Sequence, residues 1–316
     1  MTLRSSACAG PVREAIMSRM VGGDGDALAQ EFRDLLATVD PVAAVAAADA
    51  CRASDAYPGL SPTGPMFTAA ERVPGGWRVL LPCTPVPQDA REALGGLLRA
   101  DAAARPDAEG RGLRAAAAQL EERRLDALTL GTRRLRVVRV EQVLRIGLDG
   151  PEAPRPTDHD PATGPGPAEL LPVPPPAGAV AAEFDARLLA ATTGRADDAE
   201  RRAFEDYPEP VFLRPAFAVA EHTEGRWRIT SRAHSGPGAA RGALAFYFRH
   251  LVPVVEQPDE IDRLEYSAAA DLMDDPARRA GITVLGRRFR IVRLERAVRM
   301  GPDGPEPPRP SDFDPR

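Results

Sequence analysis

Apolar positions change period several times along the chain. Leu28, Phe32, Leu35, Leu36 and Val39 recur at helical spacing behind Asp26, a residue suited to an N-cap, and predict a first helix. Asp40-Pro41 opens a second helix to about residue 53, with proline where a helix's first N–H has no partner anyway. Tyr57-Pro58 begins a Pro/Gly-rich connection. Residues 66–72 and 77–81 then read as strands around the turn Pro74-Gly75-Gly76. Helical spacing returns from Gln88 to about Leu125, broken near Pro106, with Leu94, Leu97, Leu98, Leu113 and Leu120 on the buried side. A strand pair then runs into a proline-rich tail, LTLGTRRLRVVRVEQVLRIGLDGPEAPRPTDHDP, from Leu128 to Pro161.

The same order occurs again. ITVLGRRFRIVRLERAVRMGPDGPEPPRPSDFDP, from Ile282 to Pro315, aligns with the first stretch without a gap. Upstream of it, Tyr207-Pro208 echoes Tyr57-Pro58, Phe217 echoes Phe67, and Gly225, Trp227 and Arg228 echo Gly75, Trp77 and Arg78. Helices are predicted near 239–251 and 259–273. Each copy reads α-α-β-β-α-α-β-β. The expected fold class is therefore α+β: two tandem homologous modules, each a small, mainly antiparallel sheet with helices on one face, related by internal pseudo-symmetry and packed on each other within the chain. The predicted boundaries are a flexible arm over 1–25, module 1 over 26–161, a Pro/Gly-rich semi-rigid linker over 162–178, and module 2 over 179–316.

Inside the repeated strand the apolar parity slips. Leu135 and Val137 share one face by simple alternation, whereas Val138, Val140, Leu144 and Ile146 lie on the other; Phe289 and Ile291 against Val292, Leu294, Val298 and Met300 do the same. A β-bulge at 137/138 and at 291/292 would turn all of them inward. Arg139, Glu141 and Arg145, and in the second copy Arg293, Glu295 and Arg299, would then form a solvated charged face, or else an anion-binding strip, since arginine matches carboxylate and phosphate bidentately.

Composition narrows the chemistry. The chain has 316 residues, a net charge of −5 and only 5% aromatic residues. An acidic total argues against a dedicated nucleic-acid binder. Every basic residue apart from histidine is arginine, and there is no lysine and no asparagine, a usage that looks like that of a GC-rich actinobacterial genome. Schiff-base and Walker-type lysines and a Cys-His-Asn triad are thereby excluded. Cys8, Cys51 and Cys83 are too few and too scattered for a disulfide framework or zinc site. No apolar run is long enough to span a bilayer, and the N-terminus carries no signal-peptide pattern, so a cytoplasmic protein is expected.

The tails carry the candidate binding residues: Arg155, Asp158 and Asp160 in the first copy, Arg309, Asp312 and Asp314 in the second. Their prolines favour an extended strap. Trp77 and Trp227 offer platforms for such straps, or serve as core anchors. An Asp-x-Asp pair suits a divalent cation, but equally a turn or a helix cap. His234, Gly236 and Gly238 lie between a strand and a helix, where a phosphate can sit on the helix N-terminus. The four histidines lack metal-type spacing, so no metal and no cofactor is expected.

The paired Trp-Arg strands, the Arg-Arg-x-Arg strand with its Val-Arg continuation, and the GPDGPEPPRPSD tail resemble an actinobacterial family of duplicated modules known as a domain of unknown function. The resemblance spans about residues 27–315 and implies no activity. The expected role is a non-catalytic pair of binding modules that takes a protein partner or a small anionic ligand at the inter-module groove. The second reading is an enzyme acting on an anionic or phosphorylated small molecule. An enzyme would gather unlike polar residues in one pocket, in one module only.

Overall fold

The computed structural model describes residues 41–105, 107–160, 169–173, 198–275 and 277–315. The predicted arm, the first predicted helix of each copy and most of the predicted linker lie outside these. The described chain divides into two compact units. The smaller contains α1 (Pro41–Ala56) and Arg155–Thr157. Within it, a hydrogen bond from Thr157 holds the Asp49 carboxyl below the usual carboxylate range, helped by Arg52 and Arg155.

The larger unit, Tyr57–Pro154 with Asp158–Arg316, contains both copies of the repeated stretch. It is built on one curled antiparallel sheet. In the first half, β1 (Gly59–Val73) turns into β2 (Gly76–Val79). Helices α2 (Pro87–Ala103) and α3 (Ala108–Arg123) follow, then β3 (Ala127–Leu130), β4 (Arg133–Gly147) and the short β5 (Gly150–Pro151). After β6 (Leu170–Pro172) the second half gives α4 (Asp198–Asp206), β7 (Glu209–Thr223), β8 (Arg226–Ile229) and α5 (Pro237–Phe246). A π-helical turn (Tyr247–Leu251), α6 (Val252–Val255), α7 (Glu260–Asp274), β9 (Gly281–Val284), β10 (Arg287–Gly301) and β11 (Gly304–Pro305) complete it. The strand order is β6-β2-β1-β4-β10-β7-β8, with β3 and β5 folded back on β4, and β9 and β11 on β10.

The two long repeated strands are thus neighbours, and one sheet runs through both halves rather than a separate small sheet in each. Their direct seam is short, from Leu294↔Leu144 to Ala297↔Glu141. Two connections expected from composition are strand instead. β1 starts at Gly59, directly after Tyr57-Pro58, and β6 lies inside the predicted linker, pairing Leu171 with Trp77. Leu171 is fully buried, which explains the pairing: an apolar side chain interrupts a stretch that otherwise favours solvated backbone.

The parity slip in the repeated strand is real, but no bulge corrects it. The register runs unbroken through Val137–Val138 and through Ile291–Val292. The irregularities fall on the partner strands, between Pro62 and Gly64 in β1 and between Leu213 and Ala216 in β7. Proline cannot donate to a ladder, so β1 and β7 take the extra residue beside Pro62 and Pro215. Both faces of β4 and β10 are therefore buried. Leu135 packs with Leu94, Leu98, Leu113 and Leu120 of α2 and α3, and Phe289 and Ile291 pack with Leu244, Phe248 and Met273 of the second helical layer. On the opposite face, Val138 and Val140 share a cluster with Trp77, Leu171, Val211, Val298 and Met300, so this core draws on both halves. Leu144, Val292 and Leu294 join Ala216, Ala218 and Trp227 in another.

A carboxylate, buried in the first half and half-buried in the second, fixes the mouth of each β3/β4-type hairpin. Glu71 accepts from Arg133 Nε and Arg78 Nη2, both at 2.7 Å, and Glu221 accepts from Arg287 Nε at 2.8 Å. Burial raises the Glu71 carboxyl, but the hydrogen bonds and charges of Arg133 and Arg78 outweigh it and hold the group below its ordinary 4.5. A depressed carboxyl stabilises the fold above its unfolded pKa, and that contribution is lost as pH falls through the folded value. Arg133→Gln should accordingly lower the melting temperature at pH 7, and the gap from wild type should close below about pH 4.5. Thermal melts across pH check this; a gap that does not change with pH would refute the pairing.

Candidate functional site

The charged face predicted for β4 and β10 is not solvated. Arg139, Arg145, Arg293, Glu295 and Arg299 are all buried. They share the face of Leu135, Val137, Phe289 and Ile291; the proline tails reach Arg139 and Arg293, and Arg299 stacks 3.8 Å over the Phe204 ring of α4. Each tail lies on the strand of the other half. Arg139 N–H donates to Glu306 O at 2.8 Å, and Arg293 N–H donates to Glu152 O at 2.9 Å, extending the short β4–β10 seam on either side.

In the first half, Arg139 Nε reaches both oxygens of Asp312 at 3.1 Å and also pairs with Glu141. Arg309 donates from Nε to Glu306 at 2.5 Å and from Nη2 to Glu141 at 3.2 Å, and its N–H donates to Asp312 at 2.7 Å. Asp314 takes Gln88 N–H at the start of α2 at 3.2 Å, and Arg91 Nη1 at 2.7 Å. Burial lowers the charged form of Arg139, but Glu141, Asp312 and Glu306 together hold its pKa above the ordinary arginine value. Burial pushes the Glu306 carboxyl up, against the pull of Arg309 and Arg139.

In the second half, Arg293 Nε donates to both oxygens of Asp158 at 3.2 and 3.1 Å, and Nη1 donates to Glu295 at 2.6 Å. Asp160 accepts from Gly238 N–H at 2.5 Å and lies 3.7 Å from Arg241. The Gly236–Gly238 turn does open a helix N-terminus to an anion, and that anion is the chain's own Asp160.

The tryptophans receive the tails at a glycine corner. Gly304 lies against the Trp77 ring, and Gly150 against Trp227. Arg136 lies 5.3 Å from the Trp77 ring centroid and donates to Pro305 O at 2.9 Å; Arg290 lies 5.2 Å from that of Trp227 and donates to Pro151 O at 2.9 Å. Trp77 is also a core anchor, only 4% exposed. The six tail residues therefore do not meet at one point. Arg309 and Asp312 join Arg139, Asp314 sits at α2, Asp158 joins Arg293, Asp160 sits at α5, and Arg155 contributes to the Asp49 cluster in the smaller unit. Among the described residues no three His, Cys, Asp or Glu side chains are grouped as metal ligands.

A concavity of about 510 Å³ lies in the second half between β7–β8 and the α5–π turn. Val219, Leu244, Phe246, Tyr247, Leu251 and Phe289 supply most of its apolar lining, and Glu221, Thr230, Ser231, Arg232 and His234 its polar one. His234 is fixed by its backbone, paired with Phe217 at 2.8 and 2.7 Å. Its Nε2 is buried and finds no hydrogen-bond partner among the described residues. Burial, then the Arg232 charge, keeps the ring's pKa below 6.5, so the imidazole is neutral at pH 7. Arg287 holds the wall by donating to Tyr247 Oη at 3.0 Å and to Glu256 at 3.0 Å. At the matching register of the first half stand Leu80, Leu81 and Thr84. Leu80 N–H donates to Ala69 O as Thr230 N–H donates to Val219 O, and Thr84 pairs with Phe67 as His234 pairs with Phe217. Leu80 and Leu81 pack against the first-half core, whereas the second half places hydroxyls there. Sequence reasoning singled out His234 for the wrong neighbour; the Leu-Leu to Thr-Ser change between copies is the signal for this cavity.

No helix among the described residues is long and apolar enough to cross a membrane. No curated protein and no solved structure matches the chain. A family model does, over residues 40–315, so the match takes in both repeated stretches, both tails and the cavity. The chain belongs to the Family of unknown function (DUF5954).

Proposed function

We propose that this is a non-catalytic binding protein: a duplicated module pair with internal pseudo-two-fold symmetry, locked by its exchanged tails, that takes a small molecule in the His234 cavity. The observation that carries the reading is the buried, unpartnered Nε2 of His234 in a cavity that sets an apolar and aromatic wall (Val219, Leu244, Phe246, Phe289) against a polar one with Glu221, Thr230, Ser231 and Arg232. Ligand sites are typically apolar concavities with a few oriented polar groups. A π-helical turn, a feature frequent at functional sites, forms one wall. The charged residues that resemble an anion site support the same reading, because arginine and carboxylate satisfy each other within the chain. The ligand class is an amphipathic organic molecule, with an apolar body against Phe246, Tyr247 and Phe289 and one hydrogen-bonding head at His234. The first half and both straps serve as scaffold.

A set of small aromatic alcohols and carboxylic acids, screened by ligand-observed NMR, tests this. Binders should shift the His234 ring nitrogens. Thr230→Leu with Ala243→Leu, which fills the cavity as Leu80 does in the first half, should weaken them by about a hundredfold, the value of excluding a ligand from an apolar pocket. Binding that is equal in the filled variant and the wild type would refute the site.

A further inference from the structure

The two strap-receiving grooves use the same chemistry. In the first half the order along the groove is Trp77, Arg136, Arg139, then Arg91 beside the start of α2; in the second it is Trp227, Arg290, Arg293, then Arg241 beside the start of α5. Each receives Gly-Pro-Glu first and Asp-x-Asp last. Gly304 and Gly150 meet the indoles, the carbonyls of Pro305 and Pro151 meet Arg136 and Arg290, Asp312 and Asp158 meet the strand arginines, and Asp314 and Asp160 meet the helix N-termini. The groove therefore recognises a segment, Gly-Pro-Glu-x-Pro-Arg-Pro-x-Asp-x-Asp, and nothing in these contacts requires that the segment come from the same chain. The direct β4–β10 seam is only four residue pairs long, Leu294↔Leu144 to Ala297↔Glu141, so the straps contribute much of what joins the halves.

We propose that the first-half groove is a peptide-binding site for this extended, acidic, proline-rich segment, and that its second occupant is the C-terminal strap of another copy of the chain, giving an arm-exchanged dimer. Exchange replaces each contact by an identical one, so its equilibrium cost is mainly that of association. It proceeds by release of the strap from Arg139 and Arg91 and rotation about the Pro302-Asp303 turn between β10 and β11.

The test uses full-length protein with Cys8, Cys51 and Cys83 replaced by serine. One population carries Gln88→Cys, the other Phe313→Cys; Phe313 is 75% exposed and precedes Asp314, which contacts Gln88. The two are mixed at high concentration, warmed below the melting temperature, cooled and treated with a short bismaleimide. The expected product is an interchain link between positions 88 and 313. Its yield should fall at least about tenfold when the Phe313→Cys chain also carries Asp312→Asn and Asp314→Asn, the loss expected from two charge-assisted hydrogen bonds. A chain carrying both cysteines that links only within itself, with no interchain product from the mixture, overturns the proposal. So does an interchain yield indifferent to the two asparagines, which marks random collision.

Discussion

Arg139→Met will cost about 3–5 kcal/mol at pH 7, the range for removing one partner of a buried ion pair. Arg139 is 7% exposed and faces Asp312 and Glu141, with the Glu306 backbone on its own N–H. Methionine fills the volume but leaves Asp312 without the guanidinium N–H it shares between its two oxygens and strengthens the mutual repulsion of Glu141 and Glu306. The loss is a large part of an ordinary domain's 5–15 kcal/mol, roughly speaking. Its pH dependence has a definite sign. Burial already raises the Glu306 pKa above its unfolded 4.5, and Arg139 is one of the groups pulling it down. Removing Arg139 raises it further. A raised carboxyl penalises the fold above its folded pKa and ceases to do so as pH falls through that value. The deficit of Arg139→Met should therefore shrink between neutral pH and about pH 4.5. Urea melts at several pH values measure this. A variant as stable as wild type at pH 7, or one whose deficit grows on acidification, contradicts the buried cluster.

Gly304→Ala should cost about 2–5 kcal/mol, by backbone strain together with overpacking. Gly304 has φ +120°, and a Cβ added there would lie 2.7 Å from Trp77 ring atoms. Neither element can yield easily: Trp77 is held in the shared core between β1 and β6, and Gly304 is the corner from which the strap begins. Gly225→Ala separates the two causes, because Gly225 also has positive φ, +74°, but nothing lies within 4 Å of its Cβ position. That variant should lose only about 1–2 kcal/mol, the left-handed penalty alone. Trp77 fluorescence should shift toward solvent in Gly304→Ala and not in Gly225→Ala. Equal losses in the two variants would mean that the strap does not press on the indole.

The elements with strong local signals were legible from the sequence. The α2–α3 break near Pro106, the turn at Leu285-Gly286, and the extended tails all depend on neighbouring residues alone. The parity of β4 and β10 was readable too, but its meaning was not. Val137 and Val138 point to opposite faces because the sheet is covered on both sides, and the second cover is supplied by the other half of the chain. A bulge was the local solution to a non-local fact. The arginines show the same limit. Arg139 and Asp312 are complementary residues far apart in sequence, and only the crossing of the tails makes them partners. The gapless repeat carried half of that information, since each strand arginine recurs with its tail aspartate; it did not say which strand each tail would cover. The cavity at His234 was hidden for a related reason. It arises from what the second copy lacks, the leucines at 80 and 81 of the first, and a difference between copies has no local signature.

Native-state hydrogen exchange at Arg139 and Arg293 tests the crossed tails most directly. Their amides point away from β1 and β7 and bond only to Glu306 and Glu152 of the opposite tails. Both should be strongly protected, exchanging only through release of the covering tail or through global unfolding. Fast exchange at Arg139 and Arg293, with Val138 and Val292 still protected, would show that the tails do not close on the opposite strands.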